Sequence, residues 1–454
     1  MAQPPEEGVQ LATDYRLVAA SIISSTGAVI DVRLILDEIN IYEDILSPVI
    51  TGNIILHDSN DLINKSPITG FEYFSVEFEK PSSSQKYSKI FRIYKLTDRK
   101  RINAQNEMFV LHFCSEELLI NELSRVSKTY QSKTIDSIVR DIARNYLKID
   151  SKKIPTSQIH PTVGTHSIVI PNWNPFFAIN WLSRMAIHSI YSSPSYVFFE
   201  DRDGFHFTPL ELLSQGTPIR DVLVSPRNLG FETDKSEPDL ETSGKTLYEW
   251  EMPCGFDIIQ NISSGMYSGS VITIDPVRQR IGSMNLSSSE MFKKTKHLND
   301  KNMTSNLMTR RGTTLEGEFN SLLRMYPTTL GHDNLKYGGL SGVALPNKVE
   351  QWLIQRNMYL SLLHSSRVNI SMPGDTEFRV GQVLNAKFPS LIMPDKTEKP
   401  LDKLYSGKYF IAALRHSLNR QSHMCYLELA KESTAVSYPQ TLNTSQLIKA
   451  AISI

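Results

Sequence analysis

The stretch NIYEDILSPVITGNIILHD, Asn40–Asp58, returns in altered form as DIIQNISSGMYSGSVITID, Asp257–Asp275. Set without gaps, Ile41 meets Ile258, Ile45 meets Ile262, Ser47 meets Ser264, Gly52 meets Gly269, Ile55 meets Ile272 and Asp58 meets Asp275. Character is kept between the identities: Glu43 falls on Gln260, Asp44 on Asn261, Thr51 on Ser268 and Ile54 on Val271. A long chain offers many chance windows, so this match needs a second one in the same order. A real internal repeat would set the whole architecture.

The second match comes from IFRIYKLTDRKRINAQNEMFVLHFCSEE (Ile90–Glu117) and KYFIAALRHSLNRQSHMCYLELAKES (Lys408–Ser433). Each reads as a strand, a basic and polar hairpin tip, a second strand and a short acidic end. Met108 aligns with Met424, Leu111 with Leu427 and Glu116 with Glu432, and Gly70 and Gly381 each precede the strand upstream. Two matches in the same order predict a duplicated β-domain whose second copy carries an insertion of about seventy residues.

Length allows several domains: 454 residues, at roughly 100–200 per domain, give two to four. A hydrophobic share of 40% is enough to fill their cores, and a charged share of 21% argues against wholesale disorder. Zero formal net charge argues against a dedicated nucleic-acid binder. The one basic run, Lys293–Arg311, reads as a solvated loop. Cys114, Cys254 and Cys425 are scattered, which suits neither a disulfide framework nor a metal site and fits a reducing compartment. No apolar run reaches membrane-spanning length, and MAQPPEEGVQ at the start is no secretory signal. A soluble chain made in a cytoplasm is expected.

Along the chain, residues 15–120 give six or seven strands by period-two alternation and turn signals. The period then changes. Ile135, Ile138, Val139, Ile142, Ala143, Tyr146 and Leu147 predict an amphipathic helix with Ser132 as its cap. NPFFAINWLSRMAIHSI predicts a second helix, with Asn174 as N-cap, Pro175 at the first helical position and Phe177, Ala178, Trp181, Leu182 and Met185 on its apolar face. YVFFEDRDGFHF predicts a hairpin turning at Asp201–Gly204, and PNKVEQWLIQRNMYLSLLHS a further helix. The expected fold class is α+β and β-rich. It has two similar small β-barrel domains, the second split by an insertion, plus a mixed α+β domain. The boundaries are 1–14 for a disordered arm, 15–120 for the first barrel and 121–249 for the mixed domain. The second barrel takes 250–278 and 352–433, the insert 279–351 and a C-terminal tail 434–454.

This order resembles the baseplate hub proteins of contractile-tailed bacteriophages. The same architecture is known in phage late-control proteins and in the N-terminal part of type VI secretion spike proteins. The stretches that carry the resemblance are INIYEDILSPVITGNIILHDSNDL, SEELLINELSRVSKTYQSKTIDSIVRDIARNYL, NPFFAINWLSRMA running into YVFFEDRDGFHFTPLELL, and YSGKYFIAALRHSLNRQSHMCYLELAKES. The resemblance implies a homotrimeric, pseudo-sixfold ring that joins a sixfold tail tube to a threefold central spike protein. Its other partners would be tail-tube or tube-initiator proteins, the tape measure protein, surrounding baseplate wedge proteins and, in transit, DNA. The implied place is the virion tail baseplate, after assembly in the host cytoplasm and without stable membrane insertion.

No catalytic, cofactor or metal residue is assigned. Neither H-E-x-x-H, a Walker A loop, G-x-S-x-G nor paired C-x-x-C is present. His160 and His166, the EDRDG turn at Glu200–Gly204 and the adjacent Glu116 and Glu117 all read as structural. Trp173, Trp181, Trp250 and Trp352 read as core. Three alternatives compete with a non-enzymatic hub. They are a glycan-cleaving or cell-wall-degrading tail enzyme, a glycan-binding receptor module, and the hub or spike component of a type VI secretion-like device. A secretion spike usually continues into a longer extension, and here about twenty residues follow the second barrel.

Overall fold

The computed structural model describes residues 11–437, except 26, 66–67, 82, 84, 104, 225–243, 254–256, 277–278, 305–306, 308–313, 318–321, 328–348 and 391–400. Of the expected arm, 1–10 lie outside this set. Residues 11–14 are an ordered turn, in which Asp14 N donates to Leu11 O and Thr13 O accepts from His423 N. Cys254 and residues 438–454 of the expected tail also lie outside the described residues.

The first sheet is built from β1 (Arg16–Ile23), β2 (Val29–Asp31), β3 (Leu36–Asp44), β4 (Thr51–Asp58), β5 (Tyr73–Glu79), β6 (Lys86–Arg101) and β7 (Glu107–Cys114). A short α1 (Leu62–Lys65) precedes β5, and α2 (Glu116–Leu123) follows β7. Alternation makes the strands. In β4, Gly52, Ile54, Leu56 and Asp58 point inward, and in β5 Phe74, Val76 and Phe78 do. They meet Phe91, Phe109, Leu111 and Phe113 in one core. The order is β3-β4-β7-β6-β5-β1-β2.

The mixed region holds β8 (Val126–Lys133), α3 (Ile135–Asn145), β9 (His166–Trp173), α4 (Pro175–Met185), β10 (Tyr196–Asp201), β11 (Gly204–Pro209) and α5 (Leu210–Leu213). The cap of α3 is Thr134 rather than Ser132, which adopts φ 50° two residues earlier. Helix α4 starts at Asn174 and Pro175 as expected, but its buried face uses Phe176 and Ile179, and Phe177 is exposed.

The remainder comprises β12 (Asp221–Val224), β13 (Thr246–Leu247), β14 (Glu249–Glu251), α6 (Ile258–Ser263), β15 (Ser268–Asp275), β16 (Arg280–Ser287), α7 (Ser288–Lys294), β17 (Lys301–Asn302), β18 (Leu323–Pro327), α8 (Val349–Ser365), β19 (Arg367–Pro373), β20 (Val383–Lys387), β21 (Gly407–Asn419), β22 (His423–Ala430) and β23 (Ser433–Thr434). The second sheet runs β14-β19-β22-β21-β20-β12. From β14 to β20 this repeats the order β3-β4-β7-β6-β5 of the first sheet, so the order recurs on residues other than those first matched. Ile41–Asp44 lie in a strand, but Ile258–Ser263 form helix α6, capped by the Asp257 side chain accepting from Gln260 N. The equivalent of β4 is β19, whereas β15 lies in a separate sheet ordered β16-β15-β18. The segment between β14 and β19 therefore spans 252–366, longer than the expected insert.

Neither sheet closes into a barrel among the described residues. The first ladder ends at three-residue β2, beyond which His57 N donates to Ile35 O. In the second, two-residue β13 pairs with β12 and three-residue β14 pairs with β19, too few bonds to complete a ladder. The two sheets are continuous instead: β21 pairs antiparallel with β3 from Ala413–Asp44 to Asn419–Glu38. Leu418 enters the first core and Ile45 the second.

Helix α8 is apolar on more than one side because it serves two cores. Val349 and Trp352 pack into the mixed region, while Ile354, Met358, Tyr359 and Leu362 enter the second core. Its half-buried Arg356 donates to the carbonyls of Ser183, Pro194 and Tyr196, and desolvation lowers its pKa to about 10. No helix among the described residues is long and apolar enough to cross a membrane.

Candidate functional site

The polar side chains with the most unusual surroundings gather where the two sheets and the mixed region meet. Along the β21–β3 seam, Arg415 Nε donates to Asn40 Oδ1 at 2.8 Å and Nη2 lies 3.2 Å from Glu38 Oε1. The same guanidinium sits 5.0 Å from the Tyr426 ring centroid. A cleft of about 670 Å³ opens here, lined by Tyr42, Asp44, Trp250, Arg415, Tyr426 and Glu428 among others.

The tip of the β10–β11 hairpin fills the angle between the sheets. Glu200 accepts from Ile50 N at 3.0 Å, Ser115 Oγ at 2.5 Å and Lys89 Nζ at 2.8 Å, all on the first sheet side. Arg202 reaches the second sheet side, donating to Thr376 O at 2.5 Å, and Asp203 pairs with Arg379. Asp201 accepts from the amides of Asp203 and Gly204, and its Oδ2 lies 3.0 Å from His206 Nε2. Burial works to raise the Asp201 pKa, but His206, the Asp203 amide and Arg379 outweigh it and hold it low. Gly204 is required at the tip: φ is 136°, and a Cβ would lie 2.1 Å from Lys153 O. The EDRDG carboxylates are thus committed to protein partners.

Glu43, from the quoted stretch, is buried beside this tip. Neither carboxylate oxygen has a hydrogen-bond partner. Burial first, then the charges of Asp201 and Glu200, push its pKa up to about 8 against the opposing effect of Lys89 and the Val380 amide.

A third group lies on the β21–β22 hairpin. His416 Nδ1 is 3.0 Å from His423 Nε2 and 3.3 Å from Cys425 Sγ, and Sγ is 3.8 Å from His423 Nε2. All three residues are buried, against Phe78 and Tyr87 of the first sheet. Burial lowers His416 to about 4 and His423 well below its ordinary value, and raises Cys425 to about 12. Cys425 has no cysteine near it in the chain, so the close-pair signal of a metal site is absent here. The signal was the alternation on each side of the turn: His423 and Cys425 share a face, and His416 lies opposite Cys425 in the ladder.

The other candidates fall apart as sites. Glu116 accepts from Tyr73 OH, whereas Glu117 is buried and pairs with Lys153 at 2.8 Å. His160 lies against His188, and His166 sits opposite Lys133 in the β8–β9 ladder. Only Trp352 of the four tryptophans is fully core. Trp250 is 39% exposed on β14, and Trp173 and Trp181 form an edge-to-face cluster with exposed Phe177. Lys293, Lys294 and Lys296 line a second cleft with Tyr191, Ser192 and Glu211, while Arg310 and Arg311 lie outside the described residues.

No family model matches the chain. Over 412 residues, 87% of this chain and 89% of the relative, it is 21% identical to the probable baseplate hub protein gp334 of Vibrio phage KVP40. Its fold is similar to the 43 kDa tail protein of prophage MuSo2 from Shewanella oneidensis, with a TM-score of 0.52, 8% identity and coverage of 91% of this chain and 98% of that one. It is also similar to the tail protein from Neisseria meningitidis MC58, with a TM-score of 0.50, 10% identity and coverage of 93% and 99%. A mostly β chain whose two joined sheets repeat one strand order thus resembles a phage baseplate hub protein along most of its length and has the fold of phage tail proteins.

Proposed function

We propose that the chain is the structural hub of a contractile phage tail baseplate, acting by assembly and not by catalysis. The observation that carries this reading is the recurrence of one strand order, β3-β4-β7-β6-β5 and β14-β19-β22-β21-β20, in a chain similar over most of its length to a baseplate hub protein. Two look-alike units in one chain can take alternate places round a ring. Three chains then offer six such places with threefold true symmetry.

In this reading each sheet, wrapped round its own core, is a tube-like unit. The first takes 15–120, the second takes 221–251 with 367–434, and 252–366 are inserted. The homotrimer joins the sixfold tail tube, through tube or tube-initiator proteins, to a threefold central spike protein. Its lumen admits the tape measure protein and then DNA, and wedge proteins surround it. Assembly takes place in the host cytoplasm and the finished place is the virion tail. The continuous β21–β3 ladder supports a rigid pair of units, as a load-transmitting ring requires.

Light scattering on the purified chain tests the reading. The expected mass is about three times the 51.5 kDa of one chain. A strict monomer at high concentration, with no binding to a spike trimer, counts against it.

A further inference from the structure

We propose that His416, His423 and Cys425 form a binding site for a transition-metal cation of the zinc type. The inference is independent of the hub reading and rests on the β21–β22 hairpin alone. Three metal-ligating atoms, two imidazole nitrogens and one sulfur, converge within 4.8 Å of one another. Zinc–nitrogen bonds near 2.0–2.1 Å and zinc–sulfur bonds near 2.3 Å, at tetrahedral angles, separate two nitrogens by roughly 3.3 Å and a nitrogen from a sulfur by roughly 3.5 Å. The observed separations, 3.0, 3.3 and 3.8 Å, scatter about those values. Shifts of a few tenths of an ångström, widening two of the separations and closing the third, are enough to place a cation between them.

The surroundings favour this use. Relative exposure is 0% for His416, 1% for His423 and 0% for Cys425, so bulk water does not compete for the ligands. The far ring nitrogens, His416 Nε2 and His423 Nδ1, are buried without partners. A cation on the near nitrogens leaves these far nitrogens as N–H groups without an acceptor, a cost that the metal–ligand bonds must offset. The His423 ring is fixed in place by Gly374, where any Cβ would lie 2.1 Å from the ring. Gly374 N also donates to His423 O at 2.8 Å. The Asp375 carbonyl oxygen, 4.0 Å from Sγ, or a water would complete the coordination. The Asp375 carboxylate acts on both His416 and Cys425, and Lys80 and Arg202 oppose it, so the surrounding charges are mixed.

Donor chemistry selects the metal. Thiolate with imidazole excludes magnesium and calcium, which take oxygen ligands, and suits zinc. On binding, the Cys425 S–H bond breaks, its proton passes to solvent and the S–Zn bond forms. The imidazoles bind through lone pairs, with their protons on the far nitrogens, and no electron is transferred. The cation would pin the hairpin beneath Phe78 and Tyr87, next to the seam between the sheets.

The test uses the full chain, purified without chelator from zinc-supplemented culture. Its metal content is measured by mass spectrometry, and its spectrum is recorded after replacement of the metal by cobalt(II). The expected result is near-stoichiometric zinc, a thiolate-to-cobalt charge-transfer band, and loss of that band in Cys425→Ser but not in Cys114→Ser. Zinc at trace level with no cobalt band in the unmutated chain overturns the proposal. So does copper in place of zinc, or a band that survives Cys425→Ser. The unmutated spectrum decides even where Cys425→Ser fails to fold.

Discussion

Glu43→Gln removes one titratable group from the junction and leaves its shape almost unchanged. The Glu43 carboxyl is buried, its oxygens have no partner, and its pKa stands at about 8 against an ordinary 4.5. Below pH 4.5 it is neutral in both folded and unfolded chains, and its contribution to stability is fully present. As pH rises from there through about 8, the unfolded chain ionises first, so the unfolded state is favoured and that contribution is lost. At about 1.4 kcal/mol per pH unit, the loss is roughly 3 kcal/mol by pH 7 and roughly 5 kcal/mol above pH 8. The glutamine amide does not ionise, and its N–H groups would sit beside Glu200 and Asp201, whose charges attract them. Urea unfolding of both proteins at pH 5, 7 and 8.5 measures the difference. The variant is expected to match the parent near pH 5 and to exceed it by about 2–5 kcal/mol at pH 8.5. Parallel stability profiles, or a variant weaker at pH 8.5, would refute the assignment of a neutral, desolvated carboxyl.

The glycines matched in the sequence should behave differently. A Cβ at Gly52 meets Asn40 O and the Phe113 ring at 2.3 Å, whereas at Gly269 the nearest atom is Ile354 Cγ2 at 3.3 Å. Gly52→Ala should lower the melting temperature sharply, by an overpacking cost of about 3 kcal/mol or less where the core can yield, and Gly269→Ala by little. Equal shifts in the two would contradict the placement of β4 and β15. Glu200→Ala leaves the Ile50 amide without its acceptor, Lys89 with only the Asp201 carbonyl and Ser115 with only the longer bond to Ile50 O. A loss of about 3–5 kcal/mol is expected, with faster proteolysis between the mixed region and the first sheet. A loss under 1 kcal/mol would mean that the hairpin tip does not tie them together.

Elements defined by local chemistry could be read directly from the sequence. The alternation of TGNIILHD is the alternation of β4, and Asn174–Pro175 does open α4. The Asp201–Gly204 turn closes β10–β11 as expected. The repeat was harder, because it survives in ladder order and hardly in letters. RVNISMP of β19 shares little with β4 but holds the same place beside the long hairpin. Of the letters that did match, Ile258 and Ile262 belong to a helix in the second copy, announced by a capping signature of Asp257 followed three residues later by Gln260, and Gly269, Ile272 and Asp275 belong to β15 in a separate sheet. The long helix α8 could be located, but its service to two cores follows from tertiary packing that periodicity does not encode. The junction was invisible for the same reason. Glu43, Glu200 and His416 are far apart in the chain, and only the β21–β3 ladder and the β10–β11 tip bring their surroundings together.

Electron cryomicroscopy of the assembled oligomer measures the central claim directly. The expected image is a closed ring of three chains in which the β1–β7 sheet and the β14–β22 sheet alternate, giving six similar lobes about one lumen. A ring with three lobes, an open filament, or two sheets related by no rotation about the ring axis would contradict it.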